Sequence, residues 1–453
     1  MFIFRKNNKF VLWHSLSLKV FYGNKDLITL LEIFKKPRKP KDILKYINKK
    51  EIETTKKAIL NLYENFFLIE NDKIEEIKIQ KLRNKLKKPK FNILYLLVTN
   101  RCNFKCKYCF IEGNYPKNYK FKDMEWKTAK KAIDLFFYIN KKKKNKEGQI
   151  IFYGGEPLLN YKLIKKSIKY IQQKKNKKFN LTILLITNGS LITPKIAKFL
   201  KENNIEVGIS LDGPKKINDK MRIIERNKGT YKFILNGLNL LKKFGVKFGI
   251  SCTINPYNIS ILERISKWFA KDLKIASLGF NLPMNSLSYK NKINKKLIAR
   301  KLISSYKILT SYNVFEDRMN RKINVLQKRE LYFKDCGAYE GQLVISPEGD
   351  IGICHAFVGT KKYFFTNISK LKINKKTLKT LENNKYIKAW INRHPLNLSK
   401  CLKCPALGIC GGGCAYNSYL MYGSILKLDE VFCEHAKETL KWFIWEKHKK
   451  SKI

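Results

Sequence analysis

Eleven cysteines in a chain of 453 residues are spaced for chemistry rather than for packing. Ten fall into three groups: Cys102, Cys106 and Cys109; Cys336 and Cys354; and Cys401, Cys404, Cys410, Cys414 and Cys433. Without a secretory signal, cysteines at such short spacings read as metal ligands rather than disulfide partners. The first group, in VTNRCNFKCKYCF (98–110), has the spacing CxxxCxxC. Three thiolates can hold three irons of a [4Fe-4S] cube and leave the fourth open. A structural zinc ion would ask for a fourth protein ligand, and no nearby His or Cys supplies one. The eleventh cysteine, Cys252, lies in the apolar run FGISCTI and reads as a buried core thiol.

Further polar motifs sit where a fold would present them. Apolar runs occur at ILYLLV (93–98), IIFY (150–153), ILLI (183–186), VGISL (207–211), FGISCTI (248–254) and IASLGF (275–280). Between them lie helical patterns such as 129–139, 161–172, 193–203 and 231–244. Repeated βα units predict a parallel sheet with right-handed crossovers, and such sheets bind ligands at the C-terminal ends of their strands. CxxxCxxC follows the first run, and Gly154-Gly155-Glu156-Pro157 follows the second. Thr187-Asn188-Gly189-Ser190 follows the third. Ser210-Leu211-Asp212-Gly213-Pro214 follows the fourth, with Asp219 and Arg222 soon after. The glycines allow close backbone approach, and Glu156 offers an acceptor to an ammonium. Asp212 can equally brace its Asp-Gly turn.

The cysteine spacing, its place after the first strand and Tyr108 before the third cysteine resemble the radical S-adenosylmethionine (SAM) superfamily. The resemblance implies that the open iron chelates the amino and carboxylate groups of SAM. One electron, from a donor such as flavodoxin or ferredoxin, then gives a 5′-deoxyadenosyl radical that abstracts hydrogen from a substrate. It also implies that the Gly154–Pro157 motif binds the SAM amino group through Glu156. Ser210, Asn188 and Arg222 are then the expected contacts to ribose or carboxylate.

The order Cys336, Cys354, Cys401-x2-Cys404-x5-Cys410-x3-Cys414, Cys433, with Gly349 before Cys354, resembles the SPASM domain. That extension carries two auxiliary [4Fe-4S] clusters, which would make three clusters in all. A zinc ribbon would use sets of four ligands, and here there are seven cysteines. By the resemblance, Cys401, Cys404, Cys410 and Cys433 hold the cluster far from SAM, and Cys336, Cys354 and Cys414 hold the nearer one. Two fully ligated clusters need eight ligands, so an iron of the nearer cluster is left for water, His355 or a substrate thiolate. In sulfatase-type maturases the residue after the second SPASM cysteine is an acid that serves as the base. Here it is His355, which is also the candidate catalytic residue.

The expected fold class is α/β: a partial (β/α)6 barrel over residues 91–285, a winged-helix-like domain over 1–80, a helical connector over 286–335 and a loop-rich iron–sulfur domain over 336–453. Within the first domain, helical patterns at 28–35, 39–47 and 53–72 end in a short strand at Asn71-Asp72, and the Lys-rich stretch 80–90 reads as a linker. A hairpin is expected at QLVISPEGDIGIC (342–354), and a last helix over 434–448 should pack back through Leu440, Phe443 and Ile444. The segment VLWHSLSLKVFYGNKDLITLLEIF resembles the start of elements that recognise the leader of a ribosomally made precursor peptide, offering a strand edge for β-augmentation. A winged helix can also bind DNA.

The formal net charge is +58, from 94 Lys and Arg against 36 Asp and Glu. Lysine is spread over every segment with abundant Asn, Ile, Phe and Tyr, as AT-rich coding produces, rather than gathered in one patch. This argues against a nucleic-acid partner. There is no apolar run of membrane-spanning length and no signal peptide, so no membrane partner is expected and the location is cytoplasmic. The expected activity is radical modification of a side chain in a precursor peptide or protein, with thioether formation as one outcome. The alternatives are an anaerobic sulfatase-type maturase and, in another class, a basic nucleic-acid-binding protein with structural iron–sulfur clusters.

Overall fold

The first 23 residues hold more strand than the pattern suggests. In the computed structural model, which describes residues 1–450 apart from 72, 117, 176 and 177, they form β1 (Phe2–Lys6), β2 (Lys9–His14) and β3 (Lys19–Gly23). These strands make an antiparallel sheet with β2 in the middle. Alternate residues of β2 serve two cores, as the two-residue strand period dictates. Leu12 meets the helices α1 (Lys25–Ile33), α2 (Pro40–Leu44) and α3 (Ile52–Glu64), while Val11 and Trp13 pack against the C-terminal region. The winged-helix expectation is thereby corrected in order: the strands precede the helices. Residues 66–71 form no strand, and Asp72, the end of the strand expected there, lies outside the described residues.

The supposed linker is also a helix, α4 (Lys73–Leu86). Ile79, Leu82 and Leu86 recur at helical spacing and pack on Leu16, Phe333, Leu396 and Leu407. Arg83 fixes this packing by donating to the Leu396 carbonyl at 2.6 Å.

The barrel follows as expected. Strands β4 (Ile93–Thr99), β5 (Glu147–Gly154), β6 (Asn180–Thr187), β7 (Glu206–Ser210), β8 (Phe248–Thr253) and β9 (Ser277–Asn281) pair in sequence order, all parallel. Helices α5 (Trp126–Lys143), α6 (Tyr161–Lys174), α7 (Pro194–Glu202), α8 (Lys215–Met221), α9 (Tyr231–Lys243) and α10 (Leu262–Lys271) connect them. Their apolar faces join the strands in the main core, where Cys252 is fully buried. Beyond β9 come α11 (Lys295–Ser311), β10 (Phe315–Glu316) and α12 (Asp317–Lys328).

The C-terminal region is stitched to the barrel. Strands β11 (Leu343–Ile345) and β12 (Asp350–Gly352) form the expected hairpin, joined by β13 (Phe364–Asn367). Strand β11 pairs parallel with β4, Val344 opposite Tyr95, so one sheet of ten strands runs through both regions. Short helices follow, α13 (Lys375–Asn383), α14 (Lys385–Ile391), α15 (Ser399–Leu402), α16 (Leu407–Cys410) and α17 (Ala415–Tyr422), of which α15 holds Cys401 and α16 holds Cys410. The last helix, α18 (Glu430–Lys450), buries Leu440, Phe443 and Ile444 against Val11, Trp13 and Met319. No helix among the described residues is long and apolar enough to cross a membrane.

Candidate active site at the strand ends

The loop after β4 that bears Cys102, Cys106 and Cys109 is clamped by β5 through main-chain contacts. Gly155 N–H donates to the Thr99 carbonyl at 3.0 Å, and Glu156 N–H donates to the Arg101 carbonyl at 2.8 Å. A Cβ on Gly155 would lie 2.2 Å from the Arg101 carbonyl oxygen, and one on Gly154, whose φ is +146°, would lie 2.0 Å from that of Thr99. The two glycines are therefore required by the backbone approach that sets the cysteine loop.

The three cysteines open onto a cavity of about 290 Å³. Gly154, Gly155, Asn188, Ser210 and Arg222 line it too, so those expected contacts converge. His355 and Cys414 enter the same cavity from the C-terminal region.

Glu156 and Pro157 do not line it. The Glu156 carboxylate is fully buried and accepts from Thr187 Oγ1 at 2.6 Å, Asn188 N–H at 2.7 Å and Leu158 N–H at 3.0 Å. The acceptor expected to face an ammonium is thus turned toward the ends of β5 and β6 and ties them together. Burial pushes its pKa up to about 7 in spite of these three bonds. Pro157 is the buried first residue of the short 3-10 turn that follows.

Asp212 takes the bracing role. It is fully buried, and it accepts from Thr253 N–H at 3.0 Å, from Arg222 Nη2 at 3.2 Å and from the Tyr108 hydroxyl. Arg222 is held over the Tyr108 ring, its centre 5.4 Å away, with Nε unpartnered beside the cavity. Asn188 donates to Asn103 Oδ1 at 2.9 Å, so its side chain also steadies the cysteine loop. Burial pushes all three cysteine thiols up, with Arg222 opposing it at Cys106. Thiols in this state need a metal to deprotonate them. Phe104 N–H and Glu112 N–H already point at the Cys102 and Cys109 sulfurs, each at 3.4 Å, as donors to thiolates. The donor set suits a cluster held by three cysteines. No three His, Cys, Asp or Glu donors among the described residues converge on a single-ion site, and cluster thiolates, each on its own iron, stand farther apart than such a site requires.

Two further cysteine groups emerge in the C-terminal region. The Cys336 and Cys414 thiols both act on Cys354, pushing it further up than burial alone does. Cys401, Cys404 and Cys410 do the same to Cys433. His355 stacks on Tyr95 at 5.0 Å and packs against Tyr153 at 4.9 Å; burial lowers its pKa to about 4, so the ring is neutral.

Several lining residues escaped the sequence reading. Ser251, two residues before the end of β8, and Asn281, the last residue of β9, are hydrogen-bonded at 2.7 Å. Their strand-end positions matched the rule used for the first four strands, which was not carried to the last two. Arg318 reaches the cavity from α12, a non-local placement with no sequence signal.

The sequence of TigE, a radical SAM cyclopropyl synthase of Paramaledivibacter caminithermalis, is 28% identical over 97% of this chain and 93% of that protein. A cysteine-type anaerobic sulfatase-maturating enzyme of Clostridium novyi is 26% identical over 75% of this chain and 91% of that protein. The crystal structure of Streptococcus suis SuiB bound to precursor peptide SuiA shares the fold with a TM-score of 0.55 at 18% identity, covering 95% of this chain and 99% of that one. The family description "Radical SAM superfamily" matches residues 96–269. That match opens inside β4 and closes inside α10, spanning the strands that build the cavity: the chain is an enzyme of the radical SAM superfamily, whose members use SAM and a [4Fe-4S] cluster.

Proposed function

We propose that this enzyme modifies a side chain of a ribosomally made peptide or protein, and that it carries two auxiliary [4Fe-4S] clusters besides the one at Cys102, Cys106 and Cys109. One observation carries the reading. The cavity that takes those three cysteines also receives Cys414 and His355 from the C-terminal region, so a substrate there meets both. Cys336, Cys354 and Cys414 are the ligands of the nearer auxiliary cluster, and Cys401, Cys404, Cys410 and Cys433 those of the farther one. Reduced thiols as ligands suit a cytoplasmic setting.

SAM and its cluster supply, when bound, a hydrogen-abstracting 5′-deoxyadenosyl radical. The chain's own residues orient the reactants. Gly154 and Gly155 admit the ligand to the backbone, Ser210 and Asn188 offer polar contacts, and Arg222 presents its free Nε to a carboxylate. Tyr153, Met284 and Phe432 give the cavity apolar wall that keeps water away from a radical. Among the described residues, β1 pairs with another strand on one side only, and its other edge suits addition of a leader strand. The similarity to SuiB, solved with its precursor peptide, supports that use of the N-terminal sheet.

Thioether formation balances in this setting. A substrate C–H would give up hydrogen to bound SAM's radical and a cysteine S–H its proton, and an auxiliary cluster held by Cys336, Cys354 and Cys414 would supply an acceptor for the one electron left over as C–S forms. The sulfatase-type reading draws on the similarity to the maturase of Clostridium novyi, but the position of its acidic base is His355, held neutral by burial.

The test is anaerobic incubation of the reconstituted enzyme with SAM, reductant and the cysteine-containing peptides encoded beside it. The expected result is 5′-deoxyadenosine together with a peptide lighter by two hydrogens and no longer alkylatable at cysteine. Conversion of a sulfatase peptide instead, with precursor peptides untouched, would establish the second reading.

A further inference from the structure

Lys322, on α12, has no solvent exposure, and its Nζ has no hydrogen-bond partner. The nearest carboxylate oxygen, Asp335 Oδ1, is 4.0 Å away, beyond hydrogen-bond reach. That carboxylate is already in demand. Arg318 lies 3.4 Å from it, Arg321 3.8 Å, and the Tyr332 hydroxyl donates to it at 3.2 Å. Helix α12 therefore gathers three cations about one buried carboxylate. On α18, which packs against both α12 and α16, is His435, also fully buried, with neither ring nitrogen hydrogen-bonded. Native interiors leave few polar groups unpaired, and an isolated buried ammonium is among the most costly.

Both orphans adjoin one cysteine group. Helix α12 packs on α16, the helix that ends at Cys410, and Asp335, 4.0 Å from Lys322, donates its N–H to the carbonyl of Gly411 at 2.9 Å, one residue after that cysteine. His435 follows Cys433 by two residues on α18. What the pair lacks is an anion with soft acceptors, and a [4Fe-4S] cluster on four thiolates is one.

We propose that Lys322, with His435 beside it, is the built-in counter-cation and hydrogen-bond donor of the cluster held by Cys401, Cys404, Cys410 and Cys433, and that it raises that cluster's reduction potential. The proposal rests on the cluster assignment made above. Uptake of one electron from an external carrier adds one negative charge to the cluster and breaks no bond. A fixed cation in a dry interior stabilises the reduced form more than the oxidised one. Lys322 thereby makes the cluster farther from SAM easier to reduce than it would be without that cation. Lys322 and His435 are positioning residues and touch no substrate.

The test is a potentiometric titration, followed by electron paramagnetic resonance, on Lys322→Met in a background lacking Cys102, Cys106 and Cys109. The farther cluster is identified by the signal that Cys401→Ala removes. Its reduction equilibrium should become about tenfold less favourable, a negative shift of about 59 mV, at unchanged iron content. Iron-free Lys322→Met should at the same time unfold at higher denaturant than the iron-free parent, because an uncompensated buried charge is gone. A merely structural ion pair with Asp335 predicts the opposite stability change and no change in potential. Should Lys322→Met fail to fold, Lys322→Arg and Lys322→Gln replace it: the arginine should hold the parent potential and the glutamine should shift it negatively. An unchanged potential in Met or Gln, with the cluster present, overturns the proposal. A parent protein that binds only one auxiliary cluster overturns the cluster assignment instead.

Discussion

The cysteine loop after β4 and the cysteine-rich region after β13 are held in place by different means. Around the loop the buried carboxylates find their donors within the protein. Glu156 and Asp212 are fully buried, yet each accepts three hydrogen bonds, from Leu158, Thr187 and Asn188 and from Tyr108, Arg222 and Thr253 respectively. The C-terminal region is built of short helices and of Gly411, Gly412 and Gly413, all with positive φ. There Lys322 and His435 are buried without partners. Its one strong brace is Arg393, fully buried, which donates to the Tyr339 hydroxyl and the Gly412 carbonyl, both at 2.7 Å, and to Ser418 Oγ and the Lys427 carbonyl, both at 3.1 Å. The carboxylates of the barrel site are thus satisfied by the protein, whereas on the cluster assignment proposed above the C-terminal region is completed by what it binds.

The sharpest test of the barrel site is to break its ligands. Replacing Cys102, Cys106 and Cys109 by Ala should abolish SAM cleavage and remove a third of the bound iron, with the unfolding midpoint little changed. Gly155→Val should abolish cleavage as well, by a different route, since its Cβ would collide with the Arg101 carbonyl and displace the loop. Full iron content in the triple variant would disprove the ligand assignment.

The complementary test is Arg393→Met. Losing the guanidinium takes a donor from the Gly412, Ile425 and Lys427 carbonyls in a dry interior, a cost of about 1–3 kcal/mol for each acceptor left unsatisfied. The loss should fall on one side of the comparison. Hydrogen exchange should quicken between Tyr339 and Lys427 and auxiliary iron should leak, while β4 to β9 stay protected. Uniform loss of protection would mean that the two regions unfold as one unit.

A smaller effect is expected at Glu156. Gln offers one acceptor oxygen where the carboxylate offers two, so Thr187 Oγ1 or the Asn188 N–H loses its partner. The loss of stability is about 1–3 kcal/mol, and SAM affinity should change less than stability, because the side chain lies outside the cavity lining. A large rise in the SAM Kd with stability intact would restore the direct contact that the GGEP motif suggests.

This contrast explains which features could be read in advance. The barrel strands and their end motifs are local signals: six apolar runs, each followed by polar or glycine residues, leave few topologies open. The two C-terminal cysteine groups were legible through their spacing. The direction of Glu156 was not, since it depends on where β6 places Thr187 and Asn188. Nor was the pairing of β11 with β4, a contact between Leu343 and Leu94 far apart in sequence, although it helps bring His355 to the cavity. The N-terminal sheet left a weak mark, in Phe2 and Phe4 alternating before Asn7, a turn residue with φ +53°, but the three helical patterns that follow outweighed it. In α4 the charge of KLRNKLKK masked a stripe of Ile79, Leu82 and Leu86.

The seam between the two regions offers the finest test. Glu348 lies in the turn between β11 and β12 and accepts from Lys361 Nζ at 2.8 Å, from the Tyr119 hydroxyl at 2.5 Å and from Asn100 Nδ2 at 3.3 Å. It therefore links the C-terminal hairpin to the end of β4, just ahead of Cys102. These partners outweigh burial and lower its pKa to about 2 from an ordinary 4.5. A carboxyl with a depressed folded pKa binds protons more readily when the chain is unfolded. Its contribution is therefore complete above about pH 4.5 and fades as the pH falls toward 2. The group is only half-buried, and solvent screening reduces the contribution to about 1 kcal/mol. In iron-free protein, so that acid lability of clusters does not intervene, Glu348→Gln should lower the unfolding free energy by that amount at pH 7. Parent and variant should draw together between pH 4.5 and 2. A gap that stays constant down to pH 2 would show that Glu348 acts through shape rather than charge. A gap that closes would show that the seam between the barrel site and the C-terminal region is partly electrostatic.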